Sequence, residues 1–346
     1  MADPVVTVVV VNYRSGRHLQ HCLDALLGQD QGASTEVIVV DNASGDESFE
    51  AARVAAAAGQ VVSIESDRNL GLAGGVNLAL THARGRYLAV LNPDVVTSAG
   101  WLRPLVAVMQ ADSDIGVACP LILVTGTERI NSAGQHIHVT GLGFNRFLGA
   151  TAAVAGDALQ AVPGLHGACF LIETELLRAI GGWDETGFLY QEDVALSWTV
   201  RSAGRSIVCV PASRVSHDYS LTMYPEKLYL LERNRWMLLA THFRFGTRVW
   251  TSPVILLSEL LVWGMCVLRG PRFVAAKWNA ARWVLAHRPE VAAWRTRVDR
   301  IRVVGDLALI RAMRWTYPLG QLFTLGGERG VSMRQPPGGL PTERPL

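Results

Sequence analysis

An α/β domain with a mostly parallel sheet, continued by a basic helical region, is the fold class this sequence predicts. Three observations predict it. Continuous β-branched runs alternate with segments of helical spacing over the first two-thirds of the chain, each run ends in a short polar group, and the charge changes sign near residue 217. Strands buried on both faces read as unbroken apolar runs, and their alternation with helices makes a parallel sheet covered on both sides.

The elements follow in order. Residues 5–11 are a β-branched run and predict a buried strand; 19–27 carry helical spacing; 36–41 are a second apolar strand. The Ala-rich stretch 48–58 predicts a helix, 61–65 a third strand, 72–83 a helix and 87–91 a fourth strand. Segment 121–165, with scattered glycines and β-branched residues, predicts an excursion of loops and short strands. A strand resumes at 169–172, a short helix at 173–180 stops at Gly181-Gly182, and a helix over 193–203 is closed by Gly204. Residues 206–210 are a further strand. Helices are then expected at 225–243, with Pro225 in the first turn, at 250–268, at 271–287 and at 289–315. The expected organisation is a sheet domain over 1–222, a helical, basic, Trp-rich region over 223–325, and a Gly- and Pro-rich disordered tail over 326–346.

Composition narrows the function. Of 346 residues 49% are hydrophobic and 18% charged, which excludes a disordered chain and a small disulfide scaffold. Residues 1–217 carry 13 basic against 21 acidic side chains; residues 218–346 carry 19 against 9, with seven of the ten tryptophans. Basic residues with interfacial aromatics suit phospholipid headgroups. The long apolar runs in the same region favour a membrane over nucleic acid. Five widely spaced cysteines without a CxxC pair disfavour a zinc site and fit a reducing cytoplasm, and residues 1–4 show no basic region before an apolar stretch, so no secretory signal is expected.

Ligands of such sheets sit beyond the carboxyl ends of the strands. The groups there are Asn12-Tyr13, Asp41-Asn42, Asp67-Arg68-Asn69 and Asn92-Pro93-Asp94. Any one of them could be a turn or a helix cap. Four in succession point to a binding edge.

Asn12-Tyr13 after the first strand, Val39-Val40-Asp41-Asn42-Ala43-Ser44, Asn69-Leu70-Gly71-Leu72-Ala73-Gly74-Gly75-Val76-Asn77 and Leu91-Asn92-Pro93-Asp94-Val95 stand in this order. Gly167-Ala168-Cys169-Phe170, Gly181-Gly182-Trp183-Asp184-Glu185, Glu192-Asp193-Val194 and His217 follow. The series resembles the family 2 glycosyltransferases of the GT-A fold, most closely their rhamnosyltransferase-like branch, over about residues 5–240. The resemblance implies a nucleotide-sugar donor, a divalent metal (Mg2+ or Mn2+) and an inverting transfer. Such a reaction needs a grip on the nucleotide, neutralisation of the leaving diphosphate and a base for the acceptor hydroxyl.

The resemblance distributes these tasks. Asp41 would accept from a pyrimidine N–H, its alternative being a cap for the helix at 48. Asn12, Asn42, Asn69, Gly71, Asn77 and Asn92 would line the nucleotide-sugar. Asp94 stands at the metal motif, here reduced to Asn92-Pro93-Asp94 with one carboxylate, and His217 would be a second ligand. Asp193 would be the base, against the alternative that Glu192 and Asp193 decorate a helix N-terminus. Many relatives carry another acid two residues after the base, where this chain has Ala195. Asp184, Glu185 and Glu192 are expected on the acceptor side.

Glu232-Arg233-Asn234-Arg235-Trp236 resembles the QxxRW motif of processive polysaccharide synthases, and Arg233 or Arg235 is expected at the diphosphate. Residues 250–268 approach bilayer length but contain Pro253 and Glu259, leaving a buried helix, an interfacial or re-entrant helix, and a true span as alternatives. The reading is a single-addition inverting transferase on the cytoplasmic membrane leaflet. It would move a sugar, first of all L-rhamnose from dTDP-rhamnose, to a lipid-linked or polysaccharide acceptor, with no nucleic-acid partner. Its rivals are a catalytically inactive, membrane-bound relative and a sugar-nucleotide nucleotidyltransferase. The sequence leaves the oligomeric state open.

Overall fold

The computed structural model of the chain describes residues 4–218, 222–318 and 321. Strand β1 (Val6–Asn12) is buried at every position. It pairs in parallel with β2 (Thr35–Asp41) and β4 (Tyr87–Leu91), and β2 pairs in parallel with β3 (Val62–Glu65). Helices α1 (His18–Leu27), α2 (Glu50–Ala57) and α3 (Gly71–Leu80) make the crossovers. Alternation along β1 divides the core. Val8 and Val10 face a cluster with Leu19 and Leu23 of α1, whereas Val9 and Val11 face Ala73 and Val76 of α3. Because the four strands run the same way, their polar ends collect at one edge, and the register sets Asn12 beside Asp41.

The chain continues through β5 (Val95–Thr97), α4 (Leu102–Ala111) and β6 (Ile115–Val124). Then follow β7 (Ile130–Ser132), β8 (Gln135–Ile137), β9 (Gly143–Asn145), β10 (Gln160–Ala161) and β11 (Cys169–Glu173). Helices α5 (Thr174–Ala179) and α6 (Glu192–Ser202) lead to β12 (Ser206–His217). The large sheet runs β10-β12-β6-β11-β4-β1-β2-β3, with β5 on β12 and β7 on β6. Strand β11 is antiparallel to both of its neighbours, so the sheet is mixed at its middle.

The helical region comprises α7 (Pro225–His242), α8 (Phe245–Arg269), α9 (Pro271–Ala286), α10 (Arg288–Ile301) and α11 (Asp306–Arg311). It shares a core with the sheet domain: Leu238, Leu239, Ile255 and Leu309 pack with Ile137, Val194 and Trp198.

Four expectations need correction. Residues 121–124, placed in an excursion of loops and short strands, complete β6, the ten-residue strand that follows α4. The strand at 206–210 runs on to His217 across a register shift between Val210 and Arg214. Val210 lies opposite Pro120, which has no N–H for the ladder, and the irregularity begins there. The helix at 250–268 begins at Phe245 and accommodates Pro253 on its outward side. The helix expected over 289–315 breaks at Arg302, whose extended backbone lets Val303 and Val304 donate to the Ser202 carbonyl at the end of α6. All five cysteines are free and buried. The tail expected from Gly326 lies outside the described residues.

Candidate active site

The strand-end residues build the first half of the site. Asn12 Nδ2 donates to Asp41 Oδ1 at 2.8 Å and to the hydroxyls of Ser44 and Ser48 at 3.0 and 2.9 Å. Asp41 Oδ1 also accepts from Ser44 Oγ at 2.5 Å, and Oδ2 accepts from the Ser44 amide at 3.0 Å. Asp41 therefore organises the turn after β2 and keeps a lone pair on Oδ2. It does not cap the following helix, because Asp46 accepts from Ser48 N instead. Asn42 Nδ2 donates to Gly71 O at 2.8 Å, and Asn69 Oδ1 accepts from Gly71 N at 2.9 Å. Gly71 has φ +72°, and a β-carbon there would stand 2.3 Å from the Phe188 carbonyl oxygen. Only glycine fits this contact between α3 and the loop before α6.

Asn77 sits differently from its expected place. Its Nδ2 donates to Trp183 O and to Glu185 Oε1, each at 2.7 Å, and its Oδ1 accepts from Trp183 N at 2.8 Å. It clamps the Gly-Gly-Trp-Asp-Glu loop onto α3, so its side chain is committed to protein. Gly182, at φ +84°, would put a β-carbon 2.8 Å from Asn77 Oδ1.

The second half of the site gathers around Asp94. Pairing of β12 with β5 brings His217 opposite Val95, and His217 Nε2 stands 3.3 Å from Asp94 Oδ1. His217 Nδ1 lies 2.9 Å from Asn131 Oδ1, an oxygen that can only accept. Asn131 thereby fixes the orientation of the ring beside the carboxylate. Burial raises the Asp94 carboxyl, but the His217 ring outweighs it and holds the carboxyl below its usual range. Asp94 Oδ1 is buried without a hydrogen-bond donor. A buried carboxylate oxygen 3.3 Å from an imidazole nitrogen is a donor pair that fits a divalent ion. No group of three or more His, Cys, Asp or Glu converges here among the described residues. Phosphate oxygens and water would complete the shell.

One loop ties this pair to the predicted base. The His166 ring lies edge-on to that of His217, with centroids 5.8 Å apart. Gly167 N donates to Asp193 Oδ2 at 3.3 Å, and the Ala168 carbonyl accepts from Asn92 N at 2.9 Å. Three consecutive residues thus touch the metal motif, its histidine and the carboxylate. Gln135 Nε2 also donates to Asp193 Oδ2 at 2.8 Å, and Val194 N donates to Oδ1 at 2.8 Å. Burial raises the Asp193 carboxyl despite these bonds. Burial first, and then the Asp193 charge, push Glu192 upward as well, and its Oε2 is buried without a partner. Two adjacent carboxyls that resist joint ionisation suit proton transfer. Burial also raises Asp184, which lines a small pocket with Glu192, Ala195, Asn234 and Trp294.

Sequence reasoning missed His166, Asn131 and Gln135, single polar residues in an irregular segment without any spacing signal. It misplaced the arginines of Glu232–Trp236. Arg235 is fully buried and paired with Glu232 at 2.7 Å and with Glu259, so a diphosphate would have to displace two carboxylates to reach it. Arg233 Nη2 donates to Gly187 O at 2.8 Å.

The geometry can now be set against known proteins. The glycosyl transferase family 2 model matches residues 7–181, just over half of the chain. The N-acetylglucosaminyl-diphospho-decaprenol L-rhamnosyltransferase of Mycobacterium tuberculosis is 28% identical over 236 residues, covering 62% of this chain and 76% of its own. GalNAc-T7, solved with UDP, GalNAc and Mn2+, superposes with a TM-score of 0.56 at 20% identity, over 69% of this chain and 48% of that one. The mannosyltransferase PcManGT of Pyrobaculum calidifontis, solved with GDP-Man and Mn2+, superposes with a TM-score of 0.51 at 21% identity, over 90% and 87%. These two likenesses are of fold. The chain spans only 25% and 20% of the length of two other curated relatives it matches.

Proposed function

The chain belongs to glycosyl transferase family 2 and has the GT-A fold; from that premise we propose that it transfers a sugar, with inversion, from a nucleotide-sugar to a hydroxyl of a cell-envelope or lipid-linked glycan. The observation that carries this reading is the loop His166–Ala168, which joins Asp94, His217 and Asp193 in one site. Asp193 takes the proton of the acceptor hydroxyl as its oxygen attacks the anomeric carbon, and the bond to the diphosphate oxygen breaks on the opposite face. Gln135 and Gly167 N hold the carboxylate in the orientation the attack needs. Asp41, Asn12, Asn42, Asn69, Gly71 and Asn92 form the nucleotide side, with Asp184, Glu185 and Glu192 toward the acceptor. Asp94 and His217 would hold Mn2+ or Mg2+, which when bound neutralises charge on the leaving diphosphate. The Mn2+ in both solved relatives supports that reading. L-Rhamnose from dTDP-rhamnose is the donor we propose, supported by the name of the mycobacterial relative.

The partner surface we propose is the cytoplasmic leaflet of the plasma membrane, where a lipid-linked acceptor would be met. Helix α8 is the one helix among the described residues long and apolar enough to cross a bilayer, and most of it faces outward. We read it as lying in the leaflet plane.

The test is release of nucleoside diphosphate from a panel of nucleotide-sugars, with Mn2+, Mg2+ or chelator, by the full chain and by Asp193→Asn. Metal-dependent release from one donor, lost in the variant, is expected. Failure to bind any donor under any metal condition would overturn the transferase reading and leave an inactive relative in front.

A further inference from the structure

The motif Glu232–Trp236 plays no part in the donor chemistry above, and its place in the fold gives it another task. We propose that Asn234 is a positioning residue: it holds the loop 187–191 in a strained backbone from which α6 presents Asp193. The inference rests on the reading of Asp193 as the base.

The loop is unusual. Phe188, Tyr190 and Gln191 have φ of +59°, +65° and +64°, so three of four consecutive residues with a β-carbon are left-handed. Such residues persist only where their surroundings over-determine them, and they gather at functional sites. Gln191 is itself the cap of α6, so its backbone sets the direction in which the first turn, with Glu192 and Asp193, leaves the loop.

Asn234 supplies the constraint. Its Nδ2 stands 2.8 Å from Gly187 O, 3.0 Å from Leu189 O and 2.7 Å from Tyr190 O. One amide gathers three carbonyls that would otherwise repel each other. The amide cannot turn over, because Arg233 Nε donates to Asn234 Oδ1 at 3.0 Å while Arg233 Nη2 reaches Gly187 O at 2.8 Å. The same turn of α7 is fixed from its other side. Glu232 and Arg235 are buried in an ion network with Glu259 of α8 and Lys277 of α9. The motif is therefore a rigid post between the outer helices and the loop of the base. On its far side that loop rests on Gly71, next to the nucleotide edge.

The experiment measures kcat, donor KM, nucleoside-diphosphate binding and Tm for Asn234→Ala, Gln191→Gly and the double variant, with Asp193→Asn in parallel. A displacement of the base by about 1 Å costs on the order of a hundredfold in rate. Asn234→Ala should therefore lower kcat about a hundredfold, with KM and diphosphate affinity within twofold of the parent. Glycine adopts the left-handed backbone without help, at the loss here of one bond from Gln191 to Gly141 O. Gln191→Gly placed in Asn234→Ala should thus recover at least about tenfold in kcat. A merely structural role would not give that rescue. If Asn234→Ala does not fold, Asn234→Ser, which keeps one donor, is read in the same way. Unchanged kcat in Asn234→Ala, a rise in KM alone, or a double variant no faster than the single overturns the proposal. An active Asp193→Asn instead removes the reading it rests on, whatever Asn234 does.

Discussion

Strand β1 and helix α8 are both long apolar runs, and the structure treats them in opposite ways. Every residue of β1 is buried, because α1 and α4 cover one face of the sheet and α3 the other. In α8 the usual pattern is inverted. The outward positions Val249, Trp250, Pro253, Leu256, Leu257, Leu260, Leu261, Gly264, Val267 and Leu268 carry no polar side chain. The inward side holds Thr251, Ser258 and Glu259. Glu259 meets Lys277 at 2.8 Å and pairs with Arg235. A soluble helix turns its charge to water and its leucines inward. Apolarity therefore says that water is excluded, but not by what; that depends on where the polar residues of the same element are tied.

The tie also bears on the proposed seating of α8 at a bilayer. Its 25 residues extend about 37 Å, enough to cross. A helix crossing on its own would set Glu259 at mid-length in lipid, whereas here Glu259 is bound to α7 and α9. The flat seating proposed above would satisfy both faces: the stripe would enter the leaflet while Arg248, Arg269, Arg272 and Arg282 on α8 and α9 would suit anionic headgroups.

The largest expected effect separates the two runs directly. Val9→Asp puts a carboxyl in a core with no partner, at a cost comparable with the about 5–15 kcal/mol that holds a domain together, so the chain should not fold. Leu257→Asp, at a position 56% exposed, should leave Tm within a few degrees. Equal damage from both, seen by thermal melting, would mean that α8 is covered by protein.

The second effect tests the tie. Glu259→Ala leaves Arg235 and Lys277 short of a buried partner, and breaking such a network costs about 3–5 kcal/mol. Glu259→Gln should recover part of the loss. Denaturant unfolding measures both.

The third is its acid sensitivity. Burial raises Glu232, but Arg235 and Lys277 outweigh it and bring its carboxyl from 4.5 down to about 2. A depressed acid contributes stability that is complete above its unfolded value and is lost as pH falls through the folded one. Stability attributable to the network should therefore decline from about pH 4.5 toward pH 2. Glu232→Gln should flatten that part of the curve.

The same contrast explains what the sequence reveals. Strands β1, β2 and β4 are legible because burial on both faces leaves unbroken β-branched runs, and Asn12, Asp41 and Asp94 because they close those runs. His217 needed the resemblance, since a bulge outside any periodicity carries it to Asp94. Asn131, His166 and Gln135 reach the site through short strands and loops, where spacing carries no information. Glu232–Trp236 is legible as a motif, but its partners are not. Which face of α7 meets the loop and which meets the ion network depends on α8 and α9, some 25 to 45 residues further on.

The smallest effect concerns the outward stripe itself. Each leucine that enters the leaflet contributes about 1.5–3 kcal/mol when fully buried, so Leu260→Ala should weaken binding to anionic vesicles roughly tenfold, with Tm unchanged. Flotation with phosphatidylglycerol vesicles measures it. Orientation is read separately. Gly246→Cys in the first turn of α8 and Arg272→Cys just beyond its other end mark the two ends of the helix, and all native cysteines are buried. On a flat helix both new thiols should react with an impermeant maleimide added from the outside of vesicles carrying the protein on that face. Reaction at one end alone would mean that α8 crosses, and the ion network at Glu259 would then have to open on insertion. Equal binding by Leu260→Ala and the parent would move the lipid contact off α8, and the inverted helix would instead mark a surface for another protein.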